Sequence, residues 1–138
     1  MQSLAEINRL TGLTIKAGIL VHRALGPGLL ESAYRACLVY ELRALGLSVE
    51  VDRGLPLVYK GVALDCGYRI DVVVDECVIV ELKCVSEIAP VHLAQLLTYL
   101  KLTGCPVGLL LNFKVPVLKD GIRRLINSRV PVDETPAL

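Results

Sequence analysis

The sequence predicts a mixed α/β domain, a central mixed sheet with helices on both faces, in the order ααβββαβα. Three observations carry this. Apolar residues recur at helical spacing from Leu4 to Leu45. β-Branched runs then take over at Ile70–Val74, Cys77–Val85 and Val107–Phe113. Between the last two runs lies one more helical stretch, opened by Pro90 and closed by Gly104.

Ser3-x-x-Glu6 reads as a capping box that opens the first helix. Glu6, Arg9, Lys16 and Arg23 fall on one wet stripe, while Leu4, Ile7, Leu10, Leu13, Leu20, Val21 and Leu25 occupy the other faces. Gly26-Pro27-Gly28 ends that helix. The second helix runs from Leu29 to Leu45, with Gly46 at the left-handed position beyond its end. Val49, Val51, Leu57, Val58 and Tyr59 read as extended chain broken by Gly54 and Pro56, with a turn at Lys60-Gly61. A hairpin is expected around Asp75-Glu76, a third helix over Pro90–Thr103, a buried strand over Val107–Phe113 and a short final helix over Asp120–Ser128. Residues 1–129 read as a single domain and residues 130–138, with Pro131, Asp133, Glu134 and Pro136, as a loose tail.

Composition narrows the function. The 138 residues are 54% hydrophobic, with a mean hydropathy of +0.57, which excludes a disordered chain. The longest stretch free of Asp, Glu, Lys and Arg is Ile88–Leu100, too short to span a bilayer, so no membrane partner is expected. Glu6 and Arg9 stand where a signal peptide would be apolar. A net charge of +1 excludes a basic arm or an acidic tail but leaves room for a local groove, with Arg35, Lys114, Lys119, Arg123 and Arg124 as candidates. Five Tyr and Phe113 are too few for an extended base-stacking platform. Five cysteines without a C-x-x-C pair read as reduced thiols of a cytoplasmic protein rather than a zinc site. No P-loop, G-x-G-x-x-G or G-x-S-x-G occurs, so no organic cofactor is expected. The excess apolar surface points to a homodimer.

Asp71, Glu81 and Lys83 carry the chemistry. Glu81 and Lys83 are two apart on a strand and share a face. A two-residue loop at Asp75-Glu76 pairs Asp71 with Val80, whereas a three-residue loop over Asp75–Cys77, or one bulge, pairs it with Glu81. The pairing with Glu81, by such a loop or a bulge, is the expected one, because Val72, Val74, Val78, Val80 and Leu82 then form a fully apolar opposite face. An ion pair of Lys83 with Asp71 or Glu81 at the sheet end explains these three residues equally well. Two further groups favour a site. Glu31 stands in the first turn of the second helix, though an acid there also complements the helix N-terminus. His92, Gln95 and Tyr99 line one face of the third helix, and a stripe with no full charge suits a site wall better than a solvent face. His22, among apolar helix neighbours, reads as a packed histidine more than as a base.

Gly28-Leu-Leu-Glu31-Ser-Ala-Tyr34 resembles the G-x-x-E-x-x-Y motif of the GxxExxY family, a branch of the PD-(D/E)XK nuclease superfamily. The flanks Val21–Gly28 and Tyr40–Arg43, and the later blocks Ile79–Lys83, Gln95–Leu100 and Gly108–Phe113, are similar to that family in the same order, over roughly Ile7 to Ile126. The resemblance implies a restriction-endonuclease-like core, a central four-stranded mixed sheet flanked by helices. It implies that Asp71 and Glu81 are the two motif acids and Lys83 the motif lysine, with Ile70 in place of the motif proline. Glu31 corresponds to the additional acid of an N-terminal helix, and Gln95 and Tyr99 to a Q-x-x-x-Y helix.

Three acids against one lysine ask for a cation, and Mg²⁺, with Mn²⁺ as a substitute, suits an oxygen donor set. The expected ligands are Asp71, Glu81 and the Leu82 backbone carbonyl, with Glu31 direct or through water. Lys83 and Gln95 are expected to hold the attacking water or a phosphate oxygen. Tyr99, Tyr34, His22 and His92 are expected around them. The implied activity is hydrolysis of phosphodiester bonds in nucleic acid, DNA in the first instance. The alternative is a nuclease-like domain with little turnover that binds nucleic acid or assembles with protein.

Overall fold

The computed structural model describes residues 2–136. The chain runs β1 (Gln2–Ser3), α1 (Leu4–Leu25), α2 (Glu31–Ala44), β2 (Val49–Gly54), β3 (Leu57–Tyr59), β4 (Val62–Leu64), β5 (Arg69–Val74), β6 (Val78–Lys83), α3 (Pro90–Thr103), β7 (Val107–Asn112), a 3-10 turn (Leu118–Gly121), β8 (Ile122–Ile126) and β9 (Val132–Asp133). The mixed α/β class stands. The central sheet has five strands rather than four, in the order β2-β5-β6-β7-β8. Only the β6–β7 pair is parallel, because α3 carries the chain back across the sheet between them.

The helices sit as their apolar periods dictate. Ile7, Leu10, Ala17 and Val21 of α1 and Tyr34, Leu38 and Leu42 of α2 pack on Val72, Val74, Val78, Val80 and Leu82, the face expected to be apolar. Leu96, Tyr99 and Leu100 of α3 cover the other face with Ile70, Val73, Ile79 and Leu110. β7 is buried along its whole length between these two layers. Gly108 lets α3 approach closely, since a Cβ there would meet the Leu96 side chain at 2.8 Å.

Local signals explain most boundaries. Ser3 caps α1, its Oγ accepting the Glu6 N–H at 3.1 Å. The capping box is only half formed, because the Glu6 carboxylate pairs with Arg9 at 2.7 Å instead of reaching back. Leu20 and Leu25, expected on the apolar faces, are exposed. Gly46 and Gly104 take the left-handed conformation after α2 and α3 as expected.

The expected final helix over Asp120–Ser128 is instead the 3-10 turn followed by β8, which pairs antiparallel with β7 from Ile122↔Leu111 to Ile126↔Val107. Ile122, Leu125 and Ile126 have helical spacing, but β7 is too buried to leave its outer edge unpaired, and that demand overrides the local pattern. The extended chain before the hairpin divides into β2, which joins the sheet, and a separate β3–β4 hairpin turning at Lys60-Gly61. Within the segment expected to be a loose tail, Val132 and Asp133 bridge in parallel to Gln2 and Ser3.

Two glycines give a test of this packing. A Cβ on Gly121 would fall within contact distance of the Asn112 carbonyl oxygen, backbone that cannot yield freely, whereas Gly12 on α1 is exposed with nothing near. Gly121→Ala is expected to destabilise by about 1–3 kcal/mol. Gly12→Ala is expected to stabilise by about 0.5–1 kcal/mol. Urea denaturation of the two variants beside wild type measures both.

Candidate active site

The site is built where the β5–β6 ladder ends. Val74↔Val78, Val73↔Ile79 and Val72↔Val80 pair in register, which requires the three-residue loop over Asp75–Cys77. Asp75 and Glu76 both take positive φ, 49° and 53°, and the Cys77 N–H closes on the Val74 carbonyl at 2.9 Å. The turn is pinned from outside by Ser48, whose N–H donates to Asp75 Oδ1 at 2.7 Å.

Continuing that register brings Asp71 opposite Glu81, and here side chains replace the ladder. The Asp71 N–H donates to Glu81 Oε1 at 3.1 Å, and the Leu82 N–H donates to Asp71 Oδ2 at 2.9 Å. Each acid is thus fixed by the other strand's backbone. Glu81 is only 6% exposed. Burial, then the neighbouring Asp71 charge, pushes its carboxyl up to about 8, with Lys83 pulling the other way.

Glu31 reaches the same place from the first turn of α2. It lines, with Asp71, Leu82, Leu30, Ser32 and Arg35, a cleft of about 370 Å³. Burial and the Asp71 charge raise its carboxyl above the ordinary range, while Lys83 and Arg35 lower it. Lys83 is half-buried and makes no direct ion pair among the described residues. Arg35, one helical turn after Glu31, places Nη1 3.8 Å from Asp71 Oδ1. The sequence named Arg35 only as a groove residue; its i+4 spacing from Glu31 was the signal that could have put it in the site.

The motif spacing around Glu31 has a mechanical explanation. Tyr34 is fully buried and stacks on Phe113, centroids 4.4 Å apart and planes 14° from parallel. Its hydroxyl donates to the Gly26 carbonyl and accepts the Leu29 N–H at 3.0 Å. The loop that delivers Glu31 is therefore tied to the core by a residue one turn further along the same helix. Tyr34 positions, and does not line, the cleft.

On the α3 side, Gln95 Nε2 donates to the Tyr99 hydroxyl at 3.0 Å. Tyr99 is buried, and burial with the Glu81 charge raises its phenol above the usual value. Gln95 and Tyr99 line a second cleft, which shares no residue with the one lined by Glu31 and Asp71, so the structure does not bring Gln95 into the acid cleft. Of the two histidines, His22 is held elsewhere and His92 lines the cleft of Gln95 and Tyr99. His22 Nε2 bonds the Val115 carbonyl at 2.7 Å as a buried packing group. His92 Nδ1 accepts the Ala89 N–H at 2.9 Å and caps α3.

Among the described residues no three His, Cys, Asp or Glu side chains are already gathered as a metal cage. The donor set still fits a hard divalent cation: oxygen atoms only, Glu31 across an open cleft from Asp71, and a buried Glu81 whose ionised form lacks a counter-charge in contact. The cleft between the acids leaves room for an ion that keeps part of its water shell. Five free cysteines are all outside this set.

Two outcomes follow from this geometry. Between the ordinary carboxylate range and pH 8, the unfolded chain has released the Glu81 proton that the folded chain still holds. Metal-free protein is therefore expected to lose stability as pH rises through that window and to level off above it. Glu81→Gln is expected to flatten the slope, read from urea midpoints in EDTA at several pH values. Tyr34→Phe keeps the Phe113 stack and removes both hydroxyl bonds, at an expected cost of about 1–2 kcal/mol. Hydrogen exchange should show faster opening at residues 26–31 with the sheet unchanged.

A family model described as the PD-(D/E)XK nuclease superfamily matches residues 8–125. No curated protein and no solved structure matches the chain.

Proposed function

Because the chain belongs to the PD-(D/E)XK nuclease superfamily, we propose that it is a Mg²⁺-dependent nuclease, Mn²⁺ substituting, that hydrolyses phosphodiester bonds of nucleic acid, DNA in the first instance. The observation that carries this is the mutual backbone lock of Asp71 and Glu81 beside Glu31 and Lys83. A superfamily of nucleases implies a nucleic-acid substrate, and its members typically use divalent metals. The G-x-x-E-x-x-Y spacing of Gly28, Glu31 and Tyr34 supports a place in the GxxExxY branch.

Asp71 and Glu81, with the Leu82 carbonyl, would hold the ion, and Glu31 would bind it directly or through water. A bound Mg²⁺ supplies Lewis-acid polarisation of the phosphate and a lower pKa for water. The chain's own residues do the rest. Lys83 orients a water and offsets negative charge gathering on phosphorus. Gln95, steadied by Tyr99, holds that water or a phosphate oxygen. Arg35, with no tighter partner than Asp71 at 3.8 Å, is free to turn to an incoming phosphate.

The domain limits of 1–129, a cytoplasmic location and a homodimer complete the reading. No described helix is long and apolar enough to cross a membrane. Exposed Val58, Tyr59, Val62 and Leu64 on the β3–β4 hairpin support the homodimer. The alternative, a binding or assembly module with little turnover, draws support from Arg35 already standing beside Asp71 in place of a cation.

Calorimetric titration of Mg²⁺ and Mn²⁺ into wild type, Glu81→Ala and Lys83→Ala, followed by cleavage assays on labelled single- and double-stranded DNA and RNA, decides between them. Glu81→Ala is expected to abolish both metal binding and cleavage. Lys83→Ala is expected to retain the metal and lose cleavage about a hundredfold or more. Wild type that binds metal and cuts nothing would favour the module; wild type that binds no metal would end the nuclease reading.

A further inference from the structure

We propose that the cleft beside Tyr99 seats one unpaired nucleobase of the substrate, so that the site works on single-stranded or splayed nucleic acid rather than on a closed duplex. This rests on the nuclease reading and narrows its substrate.

A second cleft, of about 420 Å³, runs along the outer face of α3 between that helix, β3 and the loop before β5. Leu57, Tyr68, His92, Gln95, Thr98 and Tyr99 are among its walls. None of the residues lining it is Asp, Glu, Lys or Arg. A phosphate finds no cation there, whereas a flat neutral heterocycle finds apolar faces and a few hydrogen-bonding edges. Its volume is within the range of clefts that take small ligands.

Tyr68 provides the stacking surface. Tyr68 is 44% exposed as a residue, and its ring meets Tyr99 edge-on, with centroids 6.4 Å apart and planes at 67°. The ring is not on a free loop. The Tyr68 carbonyl accepts the Leu55 N–H at 2.9 Å, and the preceding turn is set by Gly67, whose φ is 75° and whose N–H donates to Asp65 Oδ1. A fixed aromatic face loses little entropy when a base stacks on it.

The cleft shares no lining residue with the acid cleft, and Tyr99 is the link, since it packs in one buried cluster with Ile70 and Ile79 on the strands that carry Asp71 and Glu81. Gln95 and Tyr99 line it, they bond each other, and the Tyr99 phenol feels the charge of Glu81 and Asp71. Besides Gln95, the wall offers the His92 and Thr98 side chains as hydrogen-bonding edges for a base. Cations lie on the opposite flank, with Arg35 beside Glu31 and Lys114 with Glu31 along the next groove. Phosphates are thus served on one side of the carboxylates and a base on the other. A base stacked inside a duplex cannot reach such a seat without being turned out.

Fluorescence anisotropy in EDTA, where no cleavage occurs, tests the seat. The probes are labelled single strands of DNA and RNA, a blunt duplex, and an abasic strand of equal length and charge. Wild type is expected to bind base-bearing single strands more tightly than the duplex or the abasic strand. Tyr68→Ala is expected to weaken single-strand binding roughly five- to hundredfold, the range for loss of one base–aromatic stack. Tyr68→Phe, which keeps the ring, should bind like wild type, and Tyr68→Ala should leave the abasic strand unaffected. Equal binding of single strands by wild type and Tyr68→Ala, or an equal loss on the abasic strand, overturns the proposal. If that happens while Glu81→Ala still abolishes cleavage, the seat falls and the nuclease reading stands. Absence of binding to every probe, with no cleavage in Mg²⁺, removes both.

Discussion

Everything in this molecule is organised around two like-charged carboxylates held together at the end of a buried strand pair. Asp71 and Glu81 each take the place of a backbone carbonyl for the other strand, so the ladder is not broken so much as continued by side chains. Folding takes Glu81 out of water and sets it against Asp71, and burial first, then the Asp71 charge, raises its proton affinity. The register that achieves this is set by the turn. Two consecutive left-handed residues and a three-residue loop put Asp71 opposite Glu81, and a loop shorter by one residue would send Asp71 to the other face.

The helices answer the same constraint from both sides. α2 brings Glu31 and Arg35 on one face, and α3 brings Gln95 and Tyr99 on the other. Precision comes from groups that never touch the acids. Tyr34 ties the loop before Glu31 to Phe113, and Phe113 in turn is fixed by its N–H to the Lys83 carbonyl at 2.8 Å. Asn112 bonds Val85 through both ends of its amide and so holds the chain leaving β6 against the end of β7. The acids, the lysine and the helix that delivers Glu31 therefore share one rigid base.

The parts of this arrangement that obey short periods were legible in the sequence. The polar pair within the otherwise apolar run Ile70–Leu82 pointed to the hairpin register, because only the pairing of Asp71 with Glu81 keeps both acids on one face and leaves Val72, Val74, Val78, Val80 and Leu82 on the other. Spacing put Glu81 and Lys83 on one strand face and His92, Gln95 and Tyr99 on one helix face, while the gathering of Glu31, Asp71, Glu81 and Lys83 into one site was what the family resemblance implied. What stayed hidden depends on contacts between distant segments. β8 has a helical spacing of apolar residues and becomes a strand only because β7 needs a partner. Arg35 looked like a surface cation until α2 was docked on the sheet. His22 already read as a packed histidine from its apolar neighbours, but its partner, the Val115 carbonyl, and the Ala89 N–H that His92 accepts lay outside any sequence signal. Tyr68 lies in a segment with no periodic signal at all.

The two outer strands of the sheet have a consequence for how the molecule behaves in crowded solution. β2 carries Glu50, Asp52 and Arg53, and Asp52 sits at a φ of 55° that bends its edge. β8 carries adjacent exposed arginines, Arg123 and Arg124. Open strand edges invite further strands, and charges or kinks are the means by which such growth is blocked. With a net charge of only +1, the chain has little overall repulsion to keep copies apart. Protection of the two open edges thus falls to a handful of side chains, and replacing Arg123 and Arg124 by neutral β-formers would remove it from β8 without touching the fold's interior.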